Sequence, residues 1–227
     1  MTARAVLFDL GNTLVSYYAA SDFPPILRAC LRACVGVLPT NTQVDENELE
    51  QRALELNVER PDLSVWPLKE RLRILFGEAA SEPATLQRIA EAFMGPIFAT
   101  AVADPDALAV LGALRARGIR TAIVSNTPWG SSASDWRLEL ERHGLLAAVD
   151  AAVFCVDVGY RKPHPAPIER ALSLLSVRPA DAVFVGDDPR WDILGAQRAG
   201  LRAILLSEKP VEGTLTVSRL SKVLGRL

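Results

Sequence analysis

Hydrophobic positions along this chain follow two patterns. Five short runs, Ala5–Phe8, Thr121–Val124, Ala152–Val156, Ala182–Val185 and Ala203–Leu206, are rich in valine, isoleucine and phenylalanine and do not alternate with polar residues. Strands buried on both faces carry that signature. Between them, over Asp106–Arg117, Asp135–His143, Pro165–Leu175 and Asp192–Ala199, apolar residues recur at helical spacing. Strand alternating with helix predicts an α/β fold built on a doubly wound parallel sheet. Gly118 and Gly200 each follow a helical pattern, at the position where a left-handed cap turns the chain towards the next strand.

The interval from Ser16 to Thr100 reads differently. It carries helical patterns over Pro24–Val37, Glu46–Glu59, Leu68–Phe76 and Pro83–Phe98, broken at Leu38-Pro39-Thr40-Asn41 and Arg60-Pro61-Asp62, and no strand-like run. The expected organisation is therefore a core of residues 1–15 and 101–227 with an inserted α-helical module over 16–100. An insert that leaves right after Asp9 and returns before Asp106 is placed to act as a lid; a fixed helical layer is the alternative.

Composition narrows the function classes. The chain has 227 residues, 49% of them apolar, with 25 basic against 27 acidic side chains. That suffices for a buried core. A near-neutral balance supplies no field to hold nucleic acid or an acidic membrane surface, so small-molecule chemistry is expected. The apolar runs are far shorter than the roughly 20 residues that span a bilayer, and only a four-residue run separates Arg4 from Asp9. A cytoplasmic protein is expected, without membrane or nucleic-acid partners and as a monomer or homodimer. The three cysteines, Cys30, Cys34 and Cys155, lack zinc spacing and are read as reduced thiols, with Cys30 and Cys34 packing on one helix.

Candidate chemistry sits where the strand-like runs end. Asp9 follows the first run, Ser125 and Asn126 the second, Lys162 comes after the third, and Gly186-Asp187-Asp188 follows the fourth. In a parallel sheet these ends share one edge, so distant residues can meet there. One carboxylate can attack, a hydroxyl and an amide can hold phosphate oxygens, an ammonium can neutralise charge, and further carboxylates can hold a hard cation.

Four stretches together resemble the motifs of the haloacid dehalogenase-like hydrolase superfamily, in order: Phe8-Asp9-Leu10-Gly11-Asn12-Thr13-Leu14, the Ser125 site, Gly159-Tyr160-Arg161-Lys162-Pro163, and Val185-Gly186-Asp187-Asp188-Pro189-Arg190-Trp191-Asp192. Gly195-Ala196-Gln197-Arg198-Ala199-Gly200 is similar to that family's continuation. The resemblance covers about two-thirds of the chain and implies a Rossmann-like core with a helical cap. It implies a magnesium-dependent phosphatase acting on a small phosphorylated metabolite, with Asp9 as nucleophile and Ser125 holding the phosphoryl group beside Asn126. Lys162, selected over Arg161 by the Lys-Pro pair, stabilises charge. Mg2+ would be held by Asp9, the Gly11 carbonyl and Asp187, while Asp192 binds metal-bound water or orients Lys162. Asp188 is read as a supporting residue or a helix cap. The departure is Gly11, where the family's phosphatases commonly carry an acid/base aspartate. General acid–base help is worth roughly 10²- to 10⁴-fold, so slower turnover is expected. A metal-independent dehalogenase and a non-catalytic phosphate-ligand or partner-binding protein are the alternatives.

Weaker candidates complete the reading. Trp129, just after the Ser125 site, is expected to line the substrate pocket. His143 is read as a helix-end cation, His164 as an exposed loop residue, and Tyr17, Tyr18, Arg60 and Trp66 as residues of the insert able to contact a leaving group.

Overall fold

A computed structural model describes residues 3–40 and 42–227. β1 (Ala5–Phe8) is fully buried, which explains why its sequence does not alternate. The chain then turns tightly, with the N–H groups of Leu14 and Val15 both donating to the Leu10 carbonyl (2.9 and 3.0 Å). β2 (Val15–Ser16) follows and pairs antiparallel with β3 (Val102–Ala103). Between these two come α1 (Phe23–Gly36), α2 (Glu46–Leu56), α3 (Leu68–Phe76) and α4 (Pro83–Ala99). The break predicted at Leu38–Asn41 ends on Asn41, which lies outside the described residues.

After β3 the chain runs α5 (Ala107–Ala116), β4 (Arg120–Ser125), α6 (Ala133–Arg142), β5 (Ala151–Phe154), α7 (Cys155–Val158), α8 (Ala166–Leu175), β6 (Ala182–Gly186), α9 (Leu194–Arg198), β7 (Arg202–Leu206) and β8 (Thr216–Val217). The six-stranded sheet has the order β5-β4-β1-β6-β7-β8, and each neighbouring pair is parallel. Ala5, Leu7, Ala122, Val124 and Phe184 form one buried face with Ile168, Ala171, Leu172 and Leu175 of α8. The alternate residues Val6, Phe8 and Ile123 are equally buried, so the sheet is covered on both sides, as a doubly wound α/β fold requires. Gly118 and Gly200 take φ of +69° and +79° at the helix ends where the sequence predicts a left-handed cap.

Two expectations about elements need correction. The run Ala152–Val156 leaves the sheet at Phe154, because the Asp157 carboxylate accepts the Phe154 N–H (2.9 Å) and starts α7 where the apolar run suggests more strand. The helix predicted from Asp192 begins earlier, as a wide turn over Pro189–Ile193 capped by Asp188.

The chain divides into two compact units. The first runs to Ser16 and resumes as Val102–Thr127 and Ala133–Leu227; the second is Tyr17–Ala101 together with the short segment Pro128–Ser132. In the helical unit, α1 and α4 pack together, with Leu27 and Leu31 buried on the first and Ile89 and Phe93 on the second, and the Cys34 thiol donates to the Ile89 carbonyl (3.4 Å). Trp129, at φ +55°, lays its ring against Phe93 (centroids 5.1 Å apart). The buried Arg71 guanidinium lies 5.4 Å from the Trp129 ring and 4.9 Å from that of Trp66, and it donates to the carbonyls of Leu56 (2.7 Å) and Trp66 (3.3 Å). A side chain at Gly130 would put its Cβ 2.3 Å from the Trp66 carbonyl oxygen, so only glycine fits there. Among the described residues no helix is long and apolar enough to cross a membrane.

Candidate active site

The winding of the sheet selects one position along its edge. From β1 the chain builds outwards through β4 and β5, then returns to the other side of β1 for β6, β7 and β8. Ligands of open α/β sheets bind beyond the carboxyl ends of the strands at such a reversal, which here is the end of β1. Phe8 is in register with Ile123 of β4 and Val185 of β6, so Asp9 emerges between Val124-Ser125-Asn126 on one side and Gly186-Asp187 on the other.

Lys162 reaches this point from the loop after α7. Its ammonium donates to Asp9 Oδ1 (2.6 Å), Asp192 Oδ1 (2.6 Å) and the Val124 carbonyl (2.8 Å). Three protons meet three acceptors, and the side chain is 1% exposed. Burial alone would push this ammonium down, but the charges of Asp192 and Asp9 outweigh it and hold Lys162 above the ordinary lysine range. Asp192 is equally buried, and its Oδ2 accepts the Asp188 N–H (3.1 Å). Close approach makes this possible: at Gly186, a Cβ would lie 2.2 Å from Asp192 Oδ2.

Asp9, Asp187 and Asp192 each offer a carboxylate oxygen, all within 4.8 Å of one another. Burial, and then the charge of Asp9, raises Asp187 from an ordinary 3.8 to about 6. Three carboxylates around one ammonium leave an excess of negative charge, and their hard oxygens suit a divalent cation such as magnesium. Gly11 is half-buried and bridges to Val15, and a Cβ built on it meets nothing within 4 Å.

The other sequence-predicted residues sit as follows. Ser125 is buried at the end of β4, its hydroxyl 3.3 Å from the Asn126 carbonyl. Asn126 turns its amide to the main chain of Lys162, accepting from its N–H (2.8 Å) and donating to its carbonyl (3.1 Å). Trp129 is packed within the helical unit. Asp188 caps the following turn, its Oδ1 accepting from Arg190 N (2.7 Å) and Trp191 N (2.9 Å). Arg161 donates to the Thr127 carbonyl (2.9 Å) and lies 5.9 Å from the Trp191 ring. His164 stacks on Tyr160 with centroids 4.2 Å apart, and His143, just past α6, lies 3.1 Å from Glu139 of that helix. Arg60 rests over Trp66 in the helical unit. Sequence reasoning passed over the Val124 carbonyl, because main-chain groups carry no signature, and Arg71, whose burial no residue pattern announced.

The family model for haloacid dehalogenase-like hydrolases matches residues 3–200. The chain belongs to this family. Among haloacid dehalogenase-like relatives, it is 33% identical over 208 residues to a phosphoglycolate phosphatase of Rhodospirillum rubrum, covering 90% of this chain and 79% of the relative. It is 28% identical over 210 residues to a glyceraldehyde 3-phosphate phosphatase of Methanothermobacter thermautotrophicus, covering 92% and 88%. A haloacid dehalogenase-like phosphatase structure from Thermococcus onnurineus superposes with a TM-score of 0.69 at 22% identity, covering 98% and 97% of the two chains, which speaks for the shared fold.

Proposed function

We propose that this hydrolase is a magnesium-dependent phosphatase that cleaves a small phosphorylated metabolite through an aspartyl phosphate on Asp9. The observation that carries the proposal is the Lys162 ammonium, held at 2.6 Å from both Asp9 and Asp192, with Asp187 completing a carboxylate cluster. A phosphate dianion could not enter such a cluster without a cation to offset the repulsion. The residues fit one: Asp9, Asp187 and the Gly11 carbonyl would hold Mg2+, with Asp192 behind them. When bound, the ion supplies charge neutralisation and polarises the phosphoryl group. The phosphatases among the relatives support the substrate class.

The residues then divide the work. Lys162 fixes Asp9 Oδ1, which leaves Oδ2 to attack phosphorus. The bond from phosphorus to the ester oxygen breaks as the Asp9–phosphorus bond forms, and the leaving alkoxide takes a proton from water because Gly11 offers none. Water then attacks phosphorus, the bond to Asp9 breaks, and inorganic phosphate and the free carboxylate result. Ser125, at the end of β4, would donate its hydroxyl proton to a phosphoryl oxygen, and Lys162 opposes the charge that develops.

Hydrolysis of p-nitrophenyl phosphate, with and without magnesium, by wild type and Asp9→Asn tests the reading. Turnover that needs both the metal and Asp9 supports it. Turnover that ignores either removes it; halide release from 2-haloacids without metal would identify a dehalogenase instead. Phosphate binding with no turnover on a panel of phosphorylated metabolites would identify a binding protein.

A further inference from the structure

We propose that Asn126 is a positioning residue that fixes the main chain of Lys162, and through it the ammonium, and is not a ligand of the phosphoryl oxygens. The inference rests on the phosphatase reading for its kinetic consequence, but not for its geometry. Both ends of the Asn126 carboxamide meet one residue: Oδ1 accepts the Lys162 N–H at 2.8 Å and Nδ2 donates to the Lys162 carbonyl at 3.1 Å. This is the pairing a neighbouring strand would give, supplied here by a side chain. The assignment of the two amide atoms is forced, since a main-chain N–H can only donate and a carbonyl can only accept.

The lysine is gripped at its two ends by residues at the end of β4 and just beyond it. Its ammonium donates to the carbonyl of Val124 (2.8 Å), and its main chain is held by the side chain two residues later. A four-carbon arm anchored at both ends has no slack, so its head stays between Asp9 and Asp192. Arg161 adds a second tie between the same segments, donating to the Thr127 carbonyl (2.9 Å). Thr127 is itself fixed, its N–H donating to the Cys155 thiol sulfur (3.2 Å). Nδ2 carries one more proton, and that proton is what a direct role on phosphate would use.

The two roles separate in experiment. The chain has four lysines, Lys69, Lys162, Lys209 and Lys222, and the buried, three-times-bonded Lys162 ammonium should give a slowly exchanging 15N signal assignable by its loss in Lys162→Met. In Asn126→Ala that signal should shift or exchange faster. The magnesium-loaded variant should bind inorganic phosphate within about threefold of wild type by 31P titration, while kcat on p-nitrophenyl phosphate falls roughly 10- to 100-fold with KM little changed. An unchanged ammonium signal, or inorganic phosphate binding weakened tenfold or more, overturns the proposal. Where the alanine variant does not fold, Asn126→Ser carries the same readouts. If wild type hydrolyses no phosphate ester, the phosphatase reading falls by itself, and the ammonium signal still decides the role of Asn126.

Discussion

Gly186→Ala should damage the site without replacing any charged group. The added methyl would sit 2.2 Å from Asp192 Oδ2, 2.4 Å from its Cγ and 2.5 Å from its Cβ, where ordinary carbon contacts begin near 3.5 Å. Glycine is needed here for this close approach. Asp192 must retreat by about 1 Å, and it is 1% exposed, with one oxygen on Lys162 at 2.6 Å and the other on Asp188 N at 3.1 Å. Retreat stretches both bonds and leaves a buried carboxylate partly uncompensated. Breaking a buried ion pair typically costs about 3–5 kcal/mol, and relaxation should recover part of it, so we expect a loss of about 3 kcal/mol. For a chain of this size that corresponds to a melting temperature lower by roughly 6–12 °C. Calorimetry on wild type, Gly186→Ala and the double variant Gly186→Ala/Asp192→Gly measures it. The second substitution removes all three colliding atoms, so the two should couple by more than about 1 kcal/mol. A single variant that melts within about 2 °C of wild type, or strict additivity in the double variant, refutes the reasoning.

Gly11→Asp has open space for its side chain and should raise kcat on alkyl phosphates by about tenfold or more, and less on p-nitrophenyl phosphate, whose leaving group needs little protonation; equal effects on both would clear Gly11 of responsibility for slow turnover. Because Asp187 is raised from 3.8 to about 6 in the folded protein, its contribution to stability is fully present below about pH 4 and is lost as pH rises through about 6, by on the order of 2 kcal/mol. Urea unfolding of metal-free protein between pH 4 and 7 should show that decline, and magnesium should abolish it. Burial pushes the Cys30 thiol up to about 12 and raises Cys34 as well, so neither should react with a thiol reagent in the native state on the timescale on which both react in urea. Rapid native labelling of either would show that α1 opens.

Fold class was legible because the central strands are long enough to carry a pattern. β1, β4, β6 and β7 each show an unbroken apolar run, and a polar residue types the end of β1, β4 and β6. β2, β3 and β8 span two residues each, too few for any period to register. β5 misled at its end, since Cys155 and Val156 continue an apolar run that Asp157 redirects through a single hydrogen bond to Phe154 N. At the site, the ends of the apolar runs pointed to Asp9, Lys162 and Asp187, Asp192 came only from the family resemblance, and the geometry gathers these four. What no pattern encodes is the partner of each polar group. An asparagine after a strand has the same appearance whether it faces a ligand or a lysine main chain. Likewise, nothing in Pro128-Trp129-Gly130 told that these residues pack with helices from a segment ending some thirty positions earlier.

That last segment bears on how this protein can be taken apart. The helical unit is not one continuous insertion: the polypeptide enters it at Tyr17, leaves at Ala101, and enters again for Pro128–Ser132. A chimera that grafts a foreign cap between Ser16 and Val102 would inherit a host tryptophan shaped for Phe93 and Arg71, and a Gly130 fitted to the Trp66 carbonyl. Deleting residues 17–101 outright would strip the cover from an indole that is now 4% exposed, producing a sticky patch four residues from the end of β4. Recombination among relatives should therefore succeed only when both pieces travel together.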